Sequence, residues 1–183
     1  MKRLGGFMAH PDPLVAAGNL IAVVLGYNTP TYPLFVWWLA GPALALRGLW
    51  AMWVFVPFMV VPLIARRFPV AARLWLVAAA TANTVVCLFL YGAASGVFLF
   101  LIPCAALASL LFRAQERRAM ALALVYPLAA YVWWRAGVGV PLDGPAVAAG
   151  AALFGMNAAS VGSISVFFGI VFSRVYGASG KVV

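Results

Sequence analysis

The chain of 183 residues carries twelve Lys and Arg, three Asp and Glu and one His, a net charge of +9. Its apolar fraction of 67% and mean hydropathy of +1.08 lie far above the roughly 45–50% apolar content of a soluble domain, which excludes an ordinary water-soluble fold. The basic residues fall between apolar stretches and form no stripe with interleaved aromatics, which excludes nucleic acid as a partner.

Uncharged stretches near the ~20 residues that cross ~30 Å of hydrocarbon as a helix recur from end to end. The alternating polarity of a transmembrane β-barrel is not seen. Because every backbone amide in lipid must be satisfied inside its own segment, the spanning structure is helical. The reading is an all-α polytopic membrane protein, one domain over residues 1–183, with six apolar segments at about 14–40, 49–65, 74–91, 94–112, 119–134 and 146–173.

Ahead of the first segment, Lys2 and Arg3 are followed by "LGGFMAHPDP" without a small-residue cleavage site, so no cleaved signal peptide is expected. His10 has no second ligand near it and reads as an interfacial residue. Within segment one, "GYNTPTYP" puts Gly26, Asn28, Pro30 and Pro33 into the middle of an uncharged run. A single helix kinked or broken at 26–33 is expected, with a re-entrant hairpin as the alternative. Segment two holds Pro57 and Pro62. Segments three and four are joined by the Gly-rich turn "YGAASG" as an antiparallel hairpin, and five and six by an exposed loop, "RAGVGVPLDGP". Cys87 and Cys104 are lone cysteines in apolar runs and read as small buried residues.

Charge concentrates in "LLFRAQERRAM", residues 110–120, where Glu116 stands among Arg113, Arg117 and Arg118. At the bilayer centre each such charge costs about 2.5–3.5 kcal/mol, so the cluster lies outside the membrane. With six crossings, Lys2, Arg3, Arg66, Arg67, Arg73, Arg113, Arg117, Arg118, Arg174 and Lys181 share one side and only Arg47 and Arg135 the other. That asymmetry places both termini in the cytoplasm. Glu116 is then a loop residue partnering nearby arginines. Trp37, Trp38, Trp50, Trp53, Trp133 and Trp134 form an outer interfacial belt, with Trp75 at the inner boundary.

Segments two to six contain no Asp, Glu, His or Lys of the kind that marks proton-coupled transport. No nucleophile motif, paired carboxylates or metal-ligand spacing is present, so no catalytic residue, metal ligand or cofactor-binding residue is assigned. Asn19, Thr81, Asn83, Thr84, Asn157, Ser160, Ser163 and Ser165 lie at depth as interhelical hydrogen-bonding groups. Asn83 and Asn157, with Asn28 in the break, are the candidate lining of a midplane ligand pocket. In segment six, Gly155, Ala158, Gly162, Ser165 and Gly169 form a seam of small side chains at near-3.5 spacing, built for close helix packing.

The segment order, with "PLIARRFPVAARLWL", "YGAASGVFLFLIPCA" and "LLFRAQERRAM", resembles the six-helix membrane anchor of bacterial class III adenylate cyclases and related sensory proteins. The resemblance implies a dimeric sensory or scaffolding module that leads into a cytoplasmic output domain. Only nine residues follow Arg174 here, so such a module would act in trans or within a longer protein. The expected function is that of a non-enzymatic, sensor-like or accessory protein of the bacterial inner membrane, working by helix packing with itself as a homodimer or with a membrane or cytoplasmic partner. The alternative is a small carrier, or the substrate-binding subunit of a transporter, with a midplane polar pocket.

Overall fold

Proline opens three of the helices, at Pro13, Pro42 and Pro69. Its missing N–H costs nothing in a first turn, where no acceptor waits for it. The computed structural model describes residues 2–137 and 150–179. The loop residues 138–145, the start of segment six at 146–149, Lys181 and the side chains of Lys2 and Arg3 lie outside the described residues.

The nine helices among the described residues are α1 Lys2–Met8, α2 Pro13–Asn28, α3 Tyr32–Ala40, α4 Pro42–Gly48, α5 Phe55–Ala65, α6 Pro69–Tyr91, α7 Leu101–Leu110, α8 Arg117–Arg135 and α9 Phe154–Ser179. Short 3₁₀ turns at Thr29–Thr31, Leu49–Val54, Ala93–Ser95, Val97–Phe100 and Ala114–Glu116 link several of them. The fold is 89% helix, with no strand among the described residues.

The break at 26–33 is a 3₁₀ turn inside one continuous helical stretch, Pro13–Ala40. Pro30 and Pro33 remove the amides that would bond the carbonyls of Gly26 and Thr29. The chain compensates locally: the Thr29 amide serves Gly26 and Leu25, and the Tyr32 amide serves Thr29. The Asn28 carbonyl, left by Tyr32, accepts instead from the Thr31 hydroxyl at 2.7 Å. Hydroxyls and 3₁₀ bonds thus keep the backbone satisfied where lipid could not.

Four stretches have the length and hydropathy to cross a membrane: Pro13–Ala40, Pro42–Ala65, Pro69–Tyr91 and Phe154–Gly177. Val97–Leu110 and Ala114–Arg135 qualify only together, their axes bent by 112°, so the described residues supply four or five candidate crossings where six segments were read from the sequence. Two boundaries also move. The second stretch begins at Pro42, because the residues around Arg47 stay helical, and the third begins at Pro69, because Arg73 is built into α6.

α5 packs between α2 and α6, α8 lies against α6 and α7, and α9 rests on α2, α7 and the 97–100 turn. At Gly26 a Cβ would come within 3.0 Å of Phe58 Cβ and would also displace the Met59 methyl, so glycine eases the approach of α2 to α5. Gly92 and Gly96 take positive φ values of 73° and 74°, which turn the chain between α6 and α7. Buried residues form two clusters. The larger, around Leu76, Leu107 and Leu111, fills most of the bundle, and the smaller gathers Val36, Leu44, Tyr91, Val97 and Leu153 at one end.

Candidate functional site

The two ends of the bundle differ in chemistry. One end brings together the start of α2, the first turns of α6, residues 110–116 and the last turns of α9. There Arg73, only 2% exposed, makes a bidentate ion pair with Glu116, with Nη1 2.8 Å from Oε2 and Nη2 2.5 Å from Oε1. Arg73 also donates to the carbonyls of Leu111 (2.6 Å) and Pro69 (3.3 Å) and lies over the Phe112 ring. All three of its guanidinium nitrogens are engaged, as a buried cation requires. Glu116 takes a further bond from the Arg113 amide. The Arg73 hydrogen bond, ahead of the penalty of partial burial, holds its carboxyl below the ordinary 4.5.

Asp12 caps α2 through the Leu14 amide (2.9 Å) and pairs with Arg113 at 2.9 Å. Burial pushes the Asp12 carboxyl up, but the Arg113 hydrogen bond, the Leu14 amide and the charges of Arg113 and Arg73 outweigh it, and the group ends below the ordinary 3.8. Glu116 is therefore a paired structural carboxylate. Its main partner, Arg73, is 43 residues away in the chain, and nothing in local sequence singled it out.

At the opposite end lies Asn157, fully buried. Its Oδ1 accepts from the Tyr32 hydroxyl at 2.9 Å and its Nδ2 donates to the Ser95 carbonyl at 2.8 Å. Tyr32 also meets the Tyr91 ring, with centroids 5.4 Å apart. The Tyr91 hydroxyl is buried without a hydrogen-bond partner among the described residues and sits where a Cβ on Gly48 would have to be.

Between the two buried clusters is a cavity of about 90 Å³. Asn28 and Asn83 both line it, whereas Asn157 stands behind Tyr32 and holds that ring in the wall. The structure thus brings two of the three sequence-selected asparagines together and gives the third an anchoring position. Tyr32, Thr29, Thr84, Cys87 and Cys104 complete the polar part of the wall. Thr84 and Cys87 follow Asn83 on one face of α6, a helical spacing that could have marked them; Cys104 carries no such signal.

The seam on α9 faces away from the bundle. Gly155, Gly162, Ser165 and Gly169 are exposed and Ala158 is half-buried. A Cβ at any of the three glycines would meet nothing within 4 Å. Among the described residues no group of three His, Cys, Asp or Glu side chains could hold a metal ion.

A comparison with protein-family models matched none, and neither the curated proteins nor the solved structures yielded a similar protein.

Proposed function

We propose that this chain is a non-enzymatic integral membrane protein, a sensor-like or accessory module that works by packing α9 against a second copy of itself or against a membrane or cytoplasmic partner protein. One observation carries the reading: the small-residue seam from Gly155 to Gly169 lies in open space instead of inside the bundle. Only 17% of the apolar window of α9 is buried. Lipid gives helices no hydrophobic drive to associate, so close backbone approach along small residues is the available source of affinity.

The proposal includes six crossings of a bacterial inner membrane with both termini cytoplasmic. It is supported by the gathering of Arg73, Arg113 and the start of α8 at one end of the bundle, with Arg47 and Arg135 in the basic-poor remainder. The likeness to the membrane anchors of class III adenylate cyclases belongs to the same proposal.

Crosslinking of the protein in phospholipid vesicles tests it, using Gly162→Leu, which places a branched side chain at the centre of the seam. The expected result is loss of a crosslinked dimer with an unchanged melting temperature of the monomer. A dimer that survives the substitution, or one absent from the unsubstituted protein, overturns homodimerisation through the seam.

The carrier reading has its own support in the cavity lined by Asn28 and Asn83. At about 90 Å³ that cavity is well short of the roughly 300 Å³ at which ordinary ligand sites begin, and the packing reading therefore ranks first.

A further inference from the structure

The cavity does not stand alone. A groove of about 800 Å³ runs down the side of the bundle between α2 and α9, lined by Leu20, Val24 and Tyr27 on one wall and Ser160, Ser163 and Phe167 on the other. Leu25, Asn28 and Ile164 line both the groove and the cavity, so these three side chains form the partition between them. The groove follows α2 and the 3₁₀ turn after it from Leu20 to Thr31, roughly 16 Å at about 1.5 Å per residue. It opens sideways, along the middle of helices apolar enough to cross a membrane.

The geometry points to a single two-part binding site for an uncharged, single-chain amphiphile, which enters from the bilayer between α2 and α9, lays its tail in the groove and places a small hydrogen-bond-accepting head in the cavity. Three observations select that chemistry. Among the described residues no Asp, Glu, Lys, Arg or His lines either part, and a charged head brought there would lose its hydration with no counter-charge among them to replace it.

The second observation concerns donors. The Thr29 and Thr84 hydroxyls donate to the Leu25 and Ala80 carbonyls, and the Tyr32 hydroxyl donates to Asn157. Among the described residues the side chains of Asn28 and Asn83 receive only long contacts, from Thr31 at 3.5 Å and Cys87 at 3.8 Å, on their oxygens. Their amide nitrogens are the donors still available, and they call for an acceptor such as a hydroxyl or carbonyl oxygen. The third is size. A cavity of about 90 Å³ is smaller than the ~150 Å³ engineered cavity that admits benzene. It takes a few-atom head, and the remainder of the molecule needs the groove.

This assignment is independent of the seam, which lies on another face of α9, so either can fail without the other. The test is photolabelling in phosphatidylcholine vesicles with hexadecanol bearing a diazirine beside the hydroxyl, with adducts located by mass spectrometry. Adducts are expected on the cavity stretches 80–87 and 100–107, displaced by excess hexadecanol and not by hexadecane. Ile164→Trp, which fills the partition, should lower cavity adducts while groove adducts persist. Asn83→Leu should lower them about fivefold, as expected for one lost hydrogen bond. Where Ile164→Trp does not fold, Asn83→Leu and the hexadecane control decide. Adducts confined to outward positions such as Leu122 and Val166 overturn the site. Equal displacement by hexadecane overturns recognition of the head, and cavity labelling unchanged by a folded Ile164→Trp overturns lateral entry.

Discussion

Removing Glu116 would leave the Arg73 guanidinium, 2% exposed, without its counter-charge. Breaking one side of a buried pair costs on the order of 3–5 kcal/mol, and Glu116→Ala should fall near the lower figure because the Glu116 side chain is itself 21% exposed. A fall in detergent-solubilised melting temperature measures it. The same pair sets a pH dependence. Glu116 and Asp12 both have folded-state carboxyls held below their ordinary values of 4.5 and 3.8. Their stabilisation is therefore complete above those values and is lost as pH falls below them through the folded-state values. Melting temperature should be level at neutral pH and decline below about pH 4.5, less steeply in Glu116→Gln; an unchanged acid slope in that variant would show that other groups govern it. Glycines divide just as sharply by surroundings. Gly26→Ala drives a Cβ to within 3.0 Å of Phe58 Cβ, while the flexible Met59 tip can swing away, so the cost should fall near the lower end of the roughly 1–3 kcal/mol of overpacking. Gly162→Ala meets open space and should leave the monomer's melting temperature in place.

At the scale of elements, the Pro30 break is an arrangement of compensating bonds. Pro30→Ala would return an amide to the Gly26 carbonyl, which in an uninterrupted helix is its natural partner. The expected outcome is a monomer as stable as the unsubstituted one, or more so, with a straighter first span and a displaced Asn28. Because Asn28 belongs to the partition between groove and cavity, cavity photolabelling should fall while folding holds; a loss of folding would show that the break is needed to fit α3 against α4. This break was legible in the sequence because two prolines, a glycine and an asparagine interrupt an otherwise uncharged run. Other features were not. Arg47 suggested a boundary, yet the chain is helical on both sides of it, since a single arginine near a helix end leaves the backbone bonds intact. Arg73 read as one more loop charge, and only the long-range approach of residues 110–116 reveals it as a buried anchor. Asn83 and Asn157 read as polar residues at depth and Asn28 as part of the break; Asn28 and Asn83 share a cavity, whereas Asn157 is taken up by Tyr32 and Ser95. Which polar groups are already satisfied is a property of pairings between distant segments, and single-segment reading cannot supply it.

For the whole molecule the number of crossings turns on residues 97–135. The 112° bend allows this stretch to be one broken span, a re-entrant excursion or two tilted legs of a hairpin. Aromatic contacts favour the hairpin. Trp134 near the end of α8 stacks on Phe98 at 4.7 Å, and Trp133 meets Phe89 at 5.1 Å. Phe89 lies in the last turn of α6, so α8 ends beside the end of α6 and starts beside Arg73, near the beginning of α6. α6 alone is long and apolar enough to cross. A helix whose two ends meet the two ends of α6 covers the same depth, which is what the proposed six-crossing arrangement requires of α8, with the stretch 97–110 as the return leg. Single cysteines at Arg117 and Arg135, in a background with Cys87→Ala and Cys104→Ala, should therefore be labelled by a membrane-impermeant maleimide from opposite sides of sealed vesicles, with Arg67→Cys reporting on the side of Arg117 and Arg47→Cys on the side of Arg135. Labelling of positions 117 and 135 from one side would make α7 and α8 a re-entrant pair, remove two crossings from the six-span topology and place the basic cluster on the same side as Arg135, which would undo the charge asymmetry on which the cytoplasmic termini rest.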